Sequence, residues 1–367
     1  MSTFAFGTQR ISDENAMHIE ALKEAIEAGV RLIDTAPYYT DGSAQRALKR
    51  VMGFFEEKVR SEIEIISKYR YDQDFIESIK ESLQNLDLHT IDCYLLDMPE
   101  GFYDEKLSSE EATEKMYEKI YDAFVAFEDA VKSKIIVQYG ISTENPNLDF
   151  QRVLDLAKKA AVEVGNTKES FLTIAFVMNL LEQDMLEVAS WAKEHNLRVL
   201  VYRPLDAKKD GLYYRLAEYK EPKEYYHALN ELLEISDNKE LRVLYNLVEQ
   251  LDANKHKFGW IGEYDIFLYT QILPHIKKAI EKIDAKDAQD VLLEYIDRFL
   301  REYRDMVAYE SALMTKRLLK DSFTGCNKLM QECALKFLLT QENIDYIVLG
   351  MRKPSYLQQA IELKKVM

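Results

Sequence analysis

Apolar, β-branched runs in this chain repeatedly end on a residue that can carry charge or make a hydrogen bond. In order, these residues are Asp34, Lys68, Asp97, Ser142, Asn179, Arg203 and Arg352. One such residue would mean little, because strand ends are wet. Asp34, Lys68 and Asp97 close consecutive runs, so parallel pairing brings two carboxylates and an ammonium around one pocket. That grouping makes either a plain buried ion pair or a polar pocket able to do chemistry. Histidine offers no rival chemistry, since His18, His195, His227, His256 and His275 are scattered without metal-ligand spacing.

The elements that must position these groups read as short strands at 4–7, 31–34, 63–67, 91–96, 136–141, 172–177, 198–202 and 346–349. Amphipathic segments at 16–28, 74–86, 116–132, 150–164 and 184–195 separate most of them. Strands alternating with helices predict parallel pairing and closure into a (β/α)8 TIM barrel, whose chemistry sits at the C-terminal strand ends. A doubly wound open sheet is the alternative, but no glycine-rich turn follows the first strand. The interval before the last strand breaks the rhythm. Helical patterns at 225–233, 239–251, 266–282, 288–320 and 327–340 fill it. They predict a helical insertion subdomain, 206–330, between strands seven and eight of a barrel formed by 1–205 and 331–367. An insertion in a βα connection lies on or beside the catalytic face. The plainer alternative is a solvent-facing helical hairpin.

Phe6-Gly7-Thr8, followed by Ala28-Gly29-Val30-Arg31-Leu32-Ile33-Asp34-Thr35-Ala36-Pro37-Tyr38-Tyr39, resembles the opening of the aldo-keto reductases. Ile65-Ile66-Ser67-Lys68 and Ile91-Asp92-Cys93-Tyr94-Leu95-Leu96 are similar to that family's third and fourth strands. Gly140-Ile141-Ser142, Asn179-Leu180-Leu181 and Tyr202-Arg203-Pro204-Leu205 are similar to the ends of the next three. Val348-Leu349-Gly350-Met351-Arg352-Lys353-Pro354 resembles the turn that holds the cofactor's phosphates. The resemblance covers 4–205 and about 331–365, and leaves the insertion unmatched.

The resemblance implies an NADPH-dependent oxidoreductase that moves a hydride to a carbonyl or an activated double bond of a small molecule. Tyr39 would be the general acid, Lys68 would ease proton movement, and Asp34 would keep Lys68 charged; no metal is required. A phenol with an ordinary pKa near 10 needs such help to act near neutral pH. One residue departs from the family. Its fourth strand usually ends in a histidine that contacts the substrate carbonyl, and Asp97 stands there. His89 precedes the same strand and lies roughly 20 Å away at the opposite mouth. An ionised Asp97 would raise the tyrosine's pKa and compete for Lys68, whereas a protonated one would donate a hydrogen bond.

Cofactor positions implied by the resemblance are Ser142 and Thr143, Tyr202 for ring stacking, the Arg203-Pro204-Leu205 turn, and Gly350, Arg352, Lys353 and Gln359. Ala175, Tyr356 and Ala360 replace polar residues that the family uses. Arg352 and Lys353 suit an extra 2′-phosphate, which favours NADP over NAD. These losses leave a second reading open: a catalytically impaired barrel serving as a binding or interaction module, with a protein partner engaged through the insertion.

Composition bounds the remaining classes. A balance of 48 basic against 64 acidic residues, net −16, disfavours nucleic acid and anionic membrane as partners. No apolar run approaches the roughly 18–20 residues that span a bilayer. The first residues lack the basic and apolar pattern of a secretory leader. An odd cysteine count of 3 argues against a disulfide framework, so Cys326 and Cys333 are expected in core packing. A cytoplasmic protein fits these features.

Overall fold

Strand period explains the site before any contact is considered. The computed structural model describes residues 3–281, 283, 285–320 and 326–365. The strands are β1 Thr3–Gly7, β2 Leu32–Asp34, β3 Glu64–Arg70, β4 Ile91–Asp97, β5 Ile136–Thr143, β6 Phe171–Val177 and β7 Arg198–Tyr202. After these come β8 Asp206–Lys209, β9 Leu212–Arg215 and β10 Tyr346–Leu349. All but β8 and β9 form a closed parallel barrel in the order β1-β10-β7-β6-β5-β4-β3-β2. This is the expected (β/α)8 architecture.

Alternate residues of each strand point inward. Ala5, Leu32, Ile66, Cys93, Leu95, Ala175, Leu200 and Val348 form the apolar plug of the barrel. Small and large side chains share it because a closed barrel leaves room for only some bulky groups. Two residues further along the same strands stand Asp34, Lys68, Asp97 and Tyr202. Two residues back stand Glu64, Thr173 and Arg198, where Arg198 pairs with Glu64 and its Nε donates to Thr173 Oγ1 at 3.2 Å. Gln138 Nε2 adds a 3.4 Å contact to Glu64 Oε1. The barrel therefore has a polar floor, an apolar middle and a polar mouth.

Strands β3, β4 and β5 run further than the sequence predicts, which places Lys68 within β3 rather than just beyond it. Helix starts follow side-chain caps. Asn15 and Asp74 each accept from backbone N–H groups of the helix that follows. The helix predicted at 116 begins earlier, spanning Ser109–Lys132, because Ser108 and Glu111 form a reciprocal capping box.

The chain divides into two compact units, one of Met1–Met178, Gln183–Pro204 and Lys336–Met367, the other of Asn179–Glu182 and Leu205–Leu335. Pro204 ends a stretch of the first unit and Leu205 opens a stretch of the second. The second unit packs Tyr225, Leu232, Tyr264, Phe299 and Tyr303 into its own core, with the long helix Lys286–Leu318 as the spine. Its content is not purely helical. The β8–β9 hairpin turns at Asp210 (φ 52°) and Gly211 (φ 78°), a left-handed Asp-Gly pair suited to a two-residue turn. The single helix predicted over 266–282 is broken: Ile261–Phe267 passes through a π turn, Leu268–Ile272, into Leu273–Ile280. Pro274 lacks the N–H that would continue the regular ladder. Cys326 and Cys333 also differ from expectation. They form a disulfide, because the chain turns into the helix Met330–Leu339 between them and leaves their Cα atoms 6.0 Å apart. Among the described residues, no helix is long and apolar enough to cross a membrane.

Gly140 sits where β5 shifts register against β6, and a Cβ there would overlap the Thr173 carbonyl oxygen and press Leu95 Cδ2 at 3.0 Å. Gly140→Ala should therefore lower stability by about 1–3 kcal/mol or more, since backbone cannot yield as a side chain can. Urea unfolding measures it, and a midpoint equal to wild type would contradict this packing.

Candidate active site

The turn after β2 sets two adjacent phenols over the barrel mouth. Thr8 fixes the end of β2 by donating from both N and Oγ1 to the Asp34 carbonyl oxygen, at 3.0 and 2.9 Å. Beyond Tyr39 the backbone passes through three left-handed residues, Thr40 (φ 48°), Asp41 (φ 52°) and Gly42 (φ 77°), before the helix Ser43–Met52 begins. Thr40 Oγ1 holds the turn to the Ile11 carbonyl at 2.7 Å. The Tyr38 and Tyr39 rings meet edge to face with centroids 5.3 Å apart.

Lys68 reaches from β3 to both sequence-predicted partners. Its Nζ lies 3.0 Å from Asp34 Oδ1 and donates to Tyr39 Oη at 2.9 Å. It also lies 5.7 Å from the centre of the Tyr202 ring. Asp34 and Lys68 are both buried. Burial opposes the Lys68 charge, but Asp34, Tyr39, Asp97 and Tyr38 together outweigh it, and the ammonium is held well above its ordinary pKa. Burial raises Asp34, against the pull of Lys68. Burial is also the main reason the Tyr39 phenol is raised; Lys68 opposes it, while Asp34 and Asp97 add to it.

Asp97 ends β4 on the inward face, where it meets Tyr38 rather than Lys68. Tyr38 Oη donates to Asp97 Oδ2 at 2.6 Å, and the Arg70 guanidinium stands 5.0 Å from the Tyr38 ring. Burial first, then the Asp97 charge, pushes the Tyr38 phenol up. In the sequence Tyr38 stands only as the residue before Tyr39, with no role of its own. The available signal was Asp97 itself, an acceptor needing a donor from an adjacent strand end.

The remaining predicted positions divide. Ser142 Oγ is buried beside the Tyr202 phenol and meets no other hydrogen-bond partner among the described residues. Thr143 Oγ1 instead donates to Glu100 Oε2 at 2.8 Å, and Glu100 Oε1 accepts from Glu144 N at 2.8 Å. Glu100, which sequence reasoning missed, thus clamps the end of β5. Tyr202 Oη donates to the Thr143 carbonyl at 2.8 Å. Arg203, left-handed at φ 54°, pairs with Glu144 at 3.0 Å. Gly350 follows β10 with no atom within 4 Å of where a Cβ would stand, so another group can approach its backbone closely. Arg352 and Lys353 come next, neither in an ion pair among the described residues, and Gln359 is exposed on the helix Pro354–Lys365. Ala175, one of the positions where the resemblance implies a polar residue, belongs to the apolar plug.

This set suits a nicotinamide dinucleotide. Tyr202 offers a half-buried ring, Ser142 a hydroxyl beside it, Gly350 open backbone, and Arg352 with Lys353 positive charge. Thr143 fits less well, its hydroxyl being taken by Glu100.

Residues 2–366 match the Aldo/keto reductase family. A methylglyoxal reductase of Escherichia coli O157:H7, DkgB, is 27% identical over 217 residues, 58% of this chain and 72% of that protein. Another from Escherichia coli strain K12, YeaE, is 24% identical over 194 residues, 53% of this chain and 60% of that protein. Among solved structures, the holo form of the aldo-keto reductase AKR11C1 from Bacillus halodurans superposes with a TM-score of 0.54 at 15% identity, covering 99% of this chain and 87% of that one. That likeness bears on the fold, and the match along the whole chain carries the assignment. The chain belongs to the aldo/keto reductase family of NAD(P)H-dependent oxidoreductases.

Proposed function

We propose that this protein reduces small carbonyl compounds with NADPH, using Tyr39 as the proton donor. The observation that carries this reading is the buried Lys68 ammonium, 3.0 Å from Asp34 and 2.9 Å from the Tyr39 hydroxyl. A phenol alone is a poor acid near neutral pH. With Lys68 beside it, negative charge left on Oη as the proton departs meets a fixed positive charge that needs no reorganisation. Asp34 keeps that ammonium charged and aimed.

The chemistry a bound NADPH supplies is a hydride for the carbonyl carbon. Tyr202 and Ser142 would hold its nicotinamide end, and Gly350, Arg352 and Lys353 its phosphates. The two cations suit a 2′-phosphate, which favours NADPH over NADH. Small carbonyl compounds as substrates agree with the names of the two Escherichia coli relatives. Thr143, Arg203, Pro204, Leu205 and Gln359 have supporting roles at most in this reading. Thr143 and Arg203 serve the Glu100 and Glu144 carboxylates.

Tyr39→Phe should lower kcat for reduction at least about 100-fold, the lower end of what general acids contribute. NADPH binding, followed by fluorescence quenching, should persist. Unchanged turnover would remove Tyr39 from the role, and no response to millimolar NADPH would remove the cofactor assignment. The pH profile follows from the upward shift of Tyr39. The donor works protonated, so a raised pKa extends the active form towards alkali. Reduction should stay level from about pH 6 to about pH 9 and fall only beyond the ordinary phenol range near 10. A decline already centred near pH 7 would point to a different acid. Asp34→Ala strands the Lys68 charge and should cost about 3–5 kcal/mol of stability, whereas Asp34→Leu combined with Lys68→Met should cost less. Denaturant unfolding separates these cases, and equal losses would deny the coupling.

A further inference from the structure

At the mouth of the first unit, charges divide into partnered and unpartnered groups. Lys68 is matched by Asp34, Arg70 by Asp72 at 2.6 Å, and Arg203 by Glu144 at 3.0 Å. Asp97 forms no ion pair among the described residues, although its charge acts on Lys68. Its Oδ2 accepts from Tyr38 at 2.6 Å, while Oδ1 accepts no hydrogen bond from the described residues. The side chain is half-buried and lies on the inward face of β4, in step with Cys93 and Leu95 of the plug. A group here therefore meets an oxygen that accepts and does not donate.

That property is wrong for a carbonyl oxygen, which itself only accepts. It suits a proton donor one atom away from the carbonyl. Resting on the reductase reading above, we infer that Asp97 determines specificity, taking a hydroxyl or ammonium on the carbon next to the reacting carbonyl. The substrate class is then the α-hydroxy or α-amino carbonyl compounds. Carbonyl compounds bearing a carboxylate at that position are disfavoured, because the Asp97 carboxylate would face it and the nearby Lys68 ammonium is already shared between Asp34 and Tyr39. Tyr38 contributes by occupying Oδ2, which turns the carboxylate and leaves one oxygen available. Tyr39 and Lys68 remain responsible for the proton.

A series of methyl ketones differing in one substituent tests this: hydroxyacetone, aminoacetone, butan-2-one and pyruvate. The readout is the kcat/KM of each relative to butan-2-one, in wild type, Asp97→Asn and Asp97→Leu, with NADPH as reductant. Comparing ratios between proteins cancels the intrinsic reactivity of each ketone. In Asp97→Leu the hydroxyacetone and aminoacetone ratios should fall about 10- to 100-fold, the worth of a hydrogen bond to a charged group. The pyruvate ratio should rise. In Asp97→Asn, which keeps shape and an acceptor, aminoacetone should lose more than hydroxyacetone if the natural donor is an ammonium. A hydroxyl donor should retain part of its advantage there. A purely structural role would depress all four alike and leave the ratios fixed, which would overturn the inference. Tyr38→Phe leaves the carboxylate in place but unheld, and should keep the wild-type order with smaller ratios; loss of that order in Tyr38→Phe, with the ratios intact in both Asp97 variants, would assign the selection to Tyr38 instead. If butan-2-one and simple aldehydes are reduced but no ratio depends on Asp97, this inference fails and the reductase reading stands. If no carbonyl compound is reduced, the reading itself fails and takes the inference with it.

Discussion

A buried ammonium shared between a carboxylate and a phenol is the constraint around which the barrel mouth is arranged. Taking an ion out of water costs several kcal/mol even after relaxation. At an effective dielectric of about 20, opposite charges about 3 Å apart recover roughly 5–6 kcal/mol. The balance is close, so the Lys68–Asp34 pair persists only with its geometry held, at 3.0 Å. Thr8 pins the end of β2, the register Ile66↔Asp34 pins β3 against it, and the apolar plug beneath excludes water. The proposed proton transfer draws on the same constraint. An ammonium already desolvated and fixed responds to charge on the neighbouring phenol without waiting for solvent.

The same strands carry the floor, the plug and the mouth in succession, and a period of two assigns residues to each. Glu64, Ile66 and Lys68 on β3 illustrate this, as do Arg198, Leu200 and Tyr202 on β7. One strand therefore contributes to closing the barrel, to its stability and to its chemistry. A one-residue slip would exchange all three contributions for outward-facing neighbours.

Much of this was legible in the sequence because it is written locally. Asp34 and Lys68 each end an apolar run, and parallel strands with helical returns put such ends together. What escaped depends on contacts between distant segments or on short polar signals inside a helical background. Tyr38 meets Asp97 across 59 positions and Glu100 meets Thr143 across 43. Neither pairing leaves a periodic trace. The expected influence of Asp97 on Tyr39 and Lys68 is present, since its charge raises both, while its hydrogen bond goes to Tyr38. The Asp210-Gly211 turn was readable but sat among strong helical patterns. The Cys326–Cys333 disulfide lay behind an odd cysteine count, which is silent about any one pair.

The left-handed turn through Thr40, Asp41 and Gly42 has a consequence for how this protein can change. Two of its three residues carry a side chain where the backbone resists one, at roughly 1–2 kcal/mol each. Glycine at either Thr40 or Asp41 would release that strain, and at Thr40 it would also remove the hydrogen bond to the Ile11 carbonyl that holds the turn after Tyr39. Thermal robustness and alignment of the Tyr39 hydroxyl are rival goals along these three positions, and selection for one is drawn against the other.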